Sequence, residues 1–450
     1  MLPDNLWTAL GLALGSLLAA SALVAAVPRV RSLPILAPLG AGYVLGGGGL
    51  GLLDGELAAL AVQFALGIGA GWIALDASSS ALATLKRSTS RSAVYWAIAY
   101  ALVGPSIIAA GMAPLAVSVL GAGGLALHAL AVTGVAGALP DASPFKSSPL
   151  SKTVPSEKLR EAVRTSDALH AAVLAAFPIY WGVARALASG EGLLADVVLA
   201  SIGASIAIGL ALGLAAYFLM KFLKPNLAIA AVLVFLTVKA AVLADMLHVS
   251  AVATCFLAGV IIGQDTLQSK SFTAIAHNLR HPFLLVMLLA AGASAPAWRG
   301  ASAPLLIIAV VLAGRFVIGK IADTLASTMP NAADGRHFAW LVAVPSALSV
   351  AMVVEGSLLL GDMTGMDPAA ATGSELAGAT SASLGAITHG DKNLTLVAPF
   401  LLAIGLGDLF ARRLVERGYP RALAKEKAAA SASASSREEH RRHGRRRRPH

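Results

Sequence analysis

The chain has 450 residues, 57% of them hydrophobic and only 13% charged, with a mean hydropathy of +0.76. A soluble protein of this length needs more charge to cover its surface, so the composition excludes a water-soluble enzyme and indicates a polytopic membrane protein. The formal net charge of +10 lies largely in the last stretch, and the lone Cys255 excludes an internal disulfide or a multi-cysteine metal site.

Apolar windows of bilayer-spanning length recur at about 6–26, 33–50, 57–76, 93–112, 114–139, 164–186, 194–220, 226–244, 248–263, 281–298, 303–326, 338–361 and 394–412. That spacing predicts an all-α bundle of about thirteen transmembrane helices. The first window has no basic segment ahead of it and is long enough to span, so it reads as a retained helix. Arg29 and Arg31, then Lys86 and Arg87, Lys152 and Lys158, Lys221 and Lys224, and Lys270 and Arg280 follow odd-numbered windows. Under the positive-inside rule the N-terminus is outside and the C-terminus cytoplasmic. The expected location is a multi-pass protein of a bacterial-type inner (cell) membrane. Residues 413–450, ending in REEHRRHGRRRRPH, read as a basic, largely disordered cytoplasmic tail, for which two readings stay open: a solvated run that helps set topology, favoured for an unspecific charge run, and a contact with anionic lipid headgroups. Nucleic acid is not expected as its partner.

Two windows carry helix breakers. The fifth has Thr133, Gly134 and Gly137 near its cytoplasmic end, and the twelfth has Pro345 and Ser346 near its centre. Proline removes an intrahelical bond and glycine weakens the ladder, so the freed backbone groups need protein or cavity water at membrane depth. Paired interruptions in corresponding halves point to a transporter's binding site.

Asp167 lies about 18 Å along its helix from Pro155, at 1.5 Å per residue, which places a carboxylate deep in the bundle. Such a residue ordinarily faces a cavity and binds an ion or a proton. His170 lies one turn away. Arg315, in the middle of PLLIIAVVLAGRFVIGKIA, stays charged and is read as compensating a carboxylate or helix dipoles. Glu355 reads either as a second cation ligand or as an interfacial acid. His128 reads as a packing residue. No His-Glu-x-x-His or Gly-x-Ser-x-Gly run supports a hydrolase, and no cofactor is expected.

The segments RSLPILAPLGAGYVLGGGGLGLLDGE, LHVSAVATCFLAGVIIGQ and REAVRTSDALHAAVLAAF together resemble the monovalent cation/proton antiporters. The third resembles that family's ion-site helix, with its near-universal acid at Asp167 and its preceding position at Ser166. Ser166 with Arg315 resembles the electroneutral members. Span twelve departs from the family, with PSALSVAM where many relatives carry an Arg-Gly-Glu-like run.

The resemblance implies an inverted-repeat fold over residues 1–412 with two crossed, interrupted helices. Core helices would lie at about 93–186 and 303–412, dimer or scaffold helices at about 6–76 and 226–298, and a linker helix at about 194–220. It implies a homodimeric transporter, not an enzyme, that exchanges sodium or potassium for protons. Asp167 would be the shared proton and metal-cation ligand, with Ser166 and Thr133 beside it. Two alternatives stay open from sequence: an organic-anion symporter of the same architecture, and a non-transporting scaffold or sensor.

Overall fold

A backbone that crosses hydrocarbon must satisfy its own polar groups, and this chain does so with helices. The computed structural model describes residues 15, 17–22, 26, 35–46, 49–53, 56–85, 91–120, 123–139, 141, 156–188, 195–223, 226–264, 266–295, 302–327, 345–365, 399–410 and 413. After helical residues 17–22 come α1 (Leu36–Leu45), α2 (Glu56–Leu85), α3 (Arg91–Leu120), α4 (Gly124–Ala138), α5 (Ser156–Ala188) and α6 (Ala195–Phe222). They are followed by α7 (Asn226–Met246), α8 (Ala251–Ile262), α9 (Thr266–Ala293), α10 (Ser302–Ser327), α11 (Ala347–Gly365) and α12 (Pro399–Phe410). The architecture is all-α, as expected. The tail after 413 lies outside the described residues.

Among the described residues, five segments are long and apolar enough to cross a membrane: Ala61–Ser79, Ser166–Ala186, Ala195–Phe222, Leu227–Met246 and Lys270–Ala293. Shorter apolar helices complete the bundle. The chain is a multi-pass membrane protein.

Several boundaries differ from the sequence reading, and two of the differences bear on the site. The window expected at 281–298 begins instead at Thr266, so Lys270, His277 and Arg280 ride on α9 and not in a loop. The polar run TLQSKSFTAIAHNLRH hides a helix whose Phe272, Ile275 and Ala276 are buried at three-and-four spacing. Trp72 of α2 seals this face: its indole N–H donates to the Ala276 carbonyl at 3.1 Å, and its ring stacks on Phe283 at 4.3 Å.

The second difference concerns the interruption of α4. Thr133, Gly134 and Gly137 are all helical, and the chain leaves the helix at Leu139, where ψ is 119°. Leu139 precedes Pro140, and the proline ring disfavours helical geometry in the residue before it. Gly134 serves packing: a Cβ there would stand 2.6 Å from the Pro105 carbonyl of α3. The α3–α4 hairpin closes because that position is bare.

The helices sort into two neighbourhoods. α3, α4, α5 and α10 pack on one another; α1, α2, α8 and α9 form a second set, and α11 lies against both α2 and α4. α6 presents Ser201, Ser205, Gly209 and Gly213 as a buried stripe towards Leu257 and Ala258 of α8. Small residues let these backbones approach closely, which is how helices associate when lipid offers no hydrophobic drive.

Candidate functional site: an acidic cluster beside the helix crossing

The carbonyl of Leu139, released where α4 ends, is the hub of the crossing. It accepts from the Arg315 guanidinium at 3.2 Å, the Ser346 amide at 3.3 Å and the Ser349 hydroxyl at 3.4 Å. Pro345 and Ser346 precede α11 as non-helical residues, and the Ser346 hydroxyl caps the new helix by accepting from the Leu348 amide at 3.0 Å. The two segments with sequence breakers therefore touch. An unwound carbonyl at the C-terminus of a helix carries partial negative charge, and buried Arg315 meets it.

Two residues beyond Leu139, the carboxylate of Asp141 accepts from Arg280 of α9 at 3.2 Å. The same guanidinium lies 3.5 Å from Asp76 of α2, and His277 lies 3.8 Å from the other Asp76 oxygen. Asp167 of α5 also acts electrostatically on Arg280, behind Asp141 and Asp76. Acids from two separate segments thus share one cation, with a third acid on α5 acting on it from farther away. Asp76 and Asp141 are each 5% exposed, while the His277 side chain is 69% exposed, so the cluster reaches the molecular surface through His277. Buried charges persist when paired, and here two carboxylates share one guanidinium. Such a cluster favours entry of a further cation or proton.

No family model matches the chain, and no curated protein matches its sequence. Among solved structures it is similar to the sodium proton antiporter MjNhaP1 from Methanocaldococcus jannaschii, determined at pH 8, with a TM-score of 0.57 and 15% identity over 90% of this chain and 97% of that one. The fold is that of a sodium/proton antiporter.

Within this antiporter fold the sequence-selected residues do not all converge. Ser166 and His170 are buried on α5 beside half-buried Asp167. Thr133 is buried about 9 Å before Leu139 along α4, by helical rise. Its hydroxyl donates back to the Ala129 carbonyl at 2.6 Å. Gly137 faces Ile108 and Phe400. Glu355 is buried well away from the cluster, against α8.

Sequence reasoning missed Asp76, Asp141 and Arg280. Asp76 is a lone acid in the run WIALDASSS and was open to the argument that selected Asp167. Asp141 sits behind a Leu-Pro pair that marks an unwound segment. Arg280 was read only as a flanking topogenic charge. Asp408 of α12, 2% exposed, is a further buried acid that patterning passed over.

Proposed function

We propose that this protein is a secondary active transporter that exchanges a monovalent cation, sodium or potassium, for protons. Asp167 is the shared proton and cation site, with Asp141 and Asp76 beside it. The observation that supports this reading is the pairing of Asp141 and Asp76 with Arg280 next to the contact between the unwound end of α4 and the start of α11, with Asp167 acting on the same guanidinium from α5. Carboxylate, hydroxyl and carbonyl oxygens suit a hard cation, and a carboxylate can hold either that ion or a proton. Competition for one group links the two flows.

In the same reading α3 to α5 and α10 to α12 form the core, moving against α1, α2, α8 and α9 to expose the site alternately. Arg315 keeps the Leu139 carbonyl compensated throughout, and exchange is electroneutral if Asp167 is the only carrier. The homodimer and the lipid contact of the basic tail belong to this proposal. The likeness of fold to MjNhaP1 supports the transporter class.

The test is reconstitution of the full chain into proteoliposomes with a pH dye inside. Sodium or potassium added outside should drive protons out, and Asp167→Asn should abolish the signal. Full exchange by Asp167→Asn would overturn the assignment of that residue. Silence of the wild type under every monovalent cation would instead favour the scaffold reading, for which Arg280 already occupies the acids as a tethered cation.

A further inference from the structure

Apart from the acidic cluster lies a further buried carboxyl group. Asp167 and Tyr180 are thirteen positions apart on α5, about 20 Å by helical rise. At the Tyr180 level, Trp181 and Arg185 donate to the carbonyl of His248, at 3.2 Å and 3.4 Å, two residues before Ser250. Ser250 caps α8: its hydroxyl oxygen accepts from the Ala253 amide at 3.0 Å. Into this cap projects Glu355 of α11, 3% exposed. Its Oε1 accepts from the Ser250 hydroxyl at 2.9 Å and from the Val252 amide at 3.1 Å, with the Ala251 amide alongside. Its Oε2 is equally buried and has no hydrogen-bond partner among the described residues.

Among the described residues no ion pair reaches Glu355. The groups around it are neutral or weakly ionisable. From α4, His128 binds the Gly356 carbonyl at 3.3 Å; from α5, the Tyr180 hydroxyl meets His128 Nδ1 at 2.9 Å; from α8, the Cys255 thiol feels the carboxyl charge. α2 contributes Asp76, which is engaged with Arg280 and lies about 7.5 Å along the helix from Gly71, the residue against Cys255. Asp245, His248 and Arg185 lie at the α7–α8 turn, beyond the cap. The N-terminus of α8 supplies only about half a positive charge. An ionised carboxylate buried without a full countercharge is costly, and an orphaned oxygen adds to that cost.

We propose that Glu355 is a second proton-binding site, separate from the acidic cluster, that takes its proton on Oε2 while Oε1 stays anchored to the α8 cap. A proton fits better than a metal cation because only one carboxyl oxygen is free, whereas a hard cation needs several oxygen ligands. The site joins α11 to α8, so its occupancy bears on a contact between the two helix neighbourhoods. It does not require Asp167 to be the transported-ion site.

The experiment is infrared difference spectroscopy of the full chain in lipid vesicles across a pH titration, which needs no transport. The wild type should show a protonated-carboxyl carbonyl band that disappears in Glu355→Gln and persists in Asp167→Asn. Ser250→Ala should keep the band but move it to higher frequency, because Oε1 loses one donor, and should shift the titration towards tighter proton binding. An unchanged spectrum in Glu355→Gln, or a Ser250→Ala band identical to that of the wild type, would overturn the proposal.

Discussion

The guanidinium of Arg315 ends on the carbonyl of Leu139, 176 residues earlier, at 3.2 Å. This one bond ties α10 to the unwound end of α4 and compensates an oxygen that also holds Ser346 and Ser349. A buried hydrogen bond from a charged donor contributes about 1.5–3 kcal/mol. Arg315→Ala should therefore lower the melting temperature in detergent clearly. Arg315→Lys should recover part of the loss, since any cationic donor reaching the carbonyl serves. Equal melting of Arg315→Ala and wild type would remove this role.

Arg280 is held by Asp141 more closely than by Asp76. Removing one carboxylate leaves Arg280 paired with the other, so each single loss costs less than the roughly 3–5 kcal/mol of breaking a lone buried ion pair. Asp141→Asn should destabilise more than Asp76→Asn, and the double variant Asp141→Asn/Arg280→Gln should be more stable than the sum of its single changes. A double-mutant cycle on melting curves reads that coupling directly. Strict additivity would mean the pair contributes nothing.

Gly134 and Gly137 separate packing from unwinding. Alanine at 134 meets backbone, the Pro105 carbonyl at 2.6 Å, while alanine at 137 meets side-chain atoms of Ile108, the nearest at 2.8 Å, which can turn aside. Gly134→Ala should cost about 1–3 kcal/mol as an overpacked contact, and Gly137→Ala distinctly less. Thermal melting of both variants decides it; the reverse order would show that the α3–α4 hairpin yields more readily than the Ile108 side chain.

His248 sits at φ 51°, closing α7 with the Leu247 amide on Leu243 and the Val249 amide on Ala244. Trp181 and Arg185 bind only its backbone carbonyl. His248→Gly should melt no lower than the wild type. Relief of left-handed strain, about 1 kcal/mol, offsets the greater chain entropy of glycine, about 0.5–1 kcal/mol. Trp181→Phe, which removes a donor, should melt lower.

A shared site at Asp167 also fixes the form of the pH dependence. Protons and the metal cation would compete, so acidifying the cation side should raise the apparent KM for the cation and leave the maximal rate unchanged. Initial rates over a pH series test this. A fall in maximal rate at constant KM would place the titrating group elsewhere.

Much of the fold was readable because transmembrane physics is severe: a run of apolar residues of bilayer length has few alternatives to a helix. The reading failed where polarity and burial part company. The first turns of α9 look like a loop because they carry Lys270, His277 and Arg280, yet Phe272 and Ala276 are fully buried beneath them. For the same reason Arg280 passed as a topogenic charge.

The amino-acid order by itself determined the membrane class, the all-helical architecture and the place of Asp167 in an apolar run, because each follows from local sterics or from the cost of charge in hydrocarbon. The partners of those residues were settled by the fold. Asp76, Asp141 and Arg280 stand far apart along the chain, and Glu355 is 105 positions from the serine that holds it. Nothing local encodes which acid meets which base: that depends on how the helices cross, and close helix approach at bare positions such as Gly134 shapes the crossing.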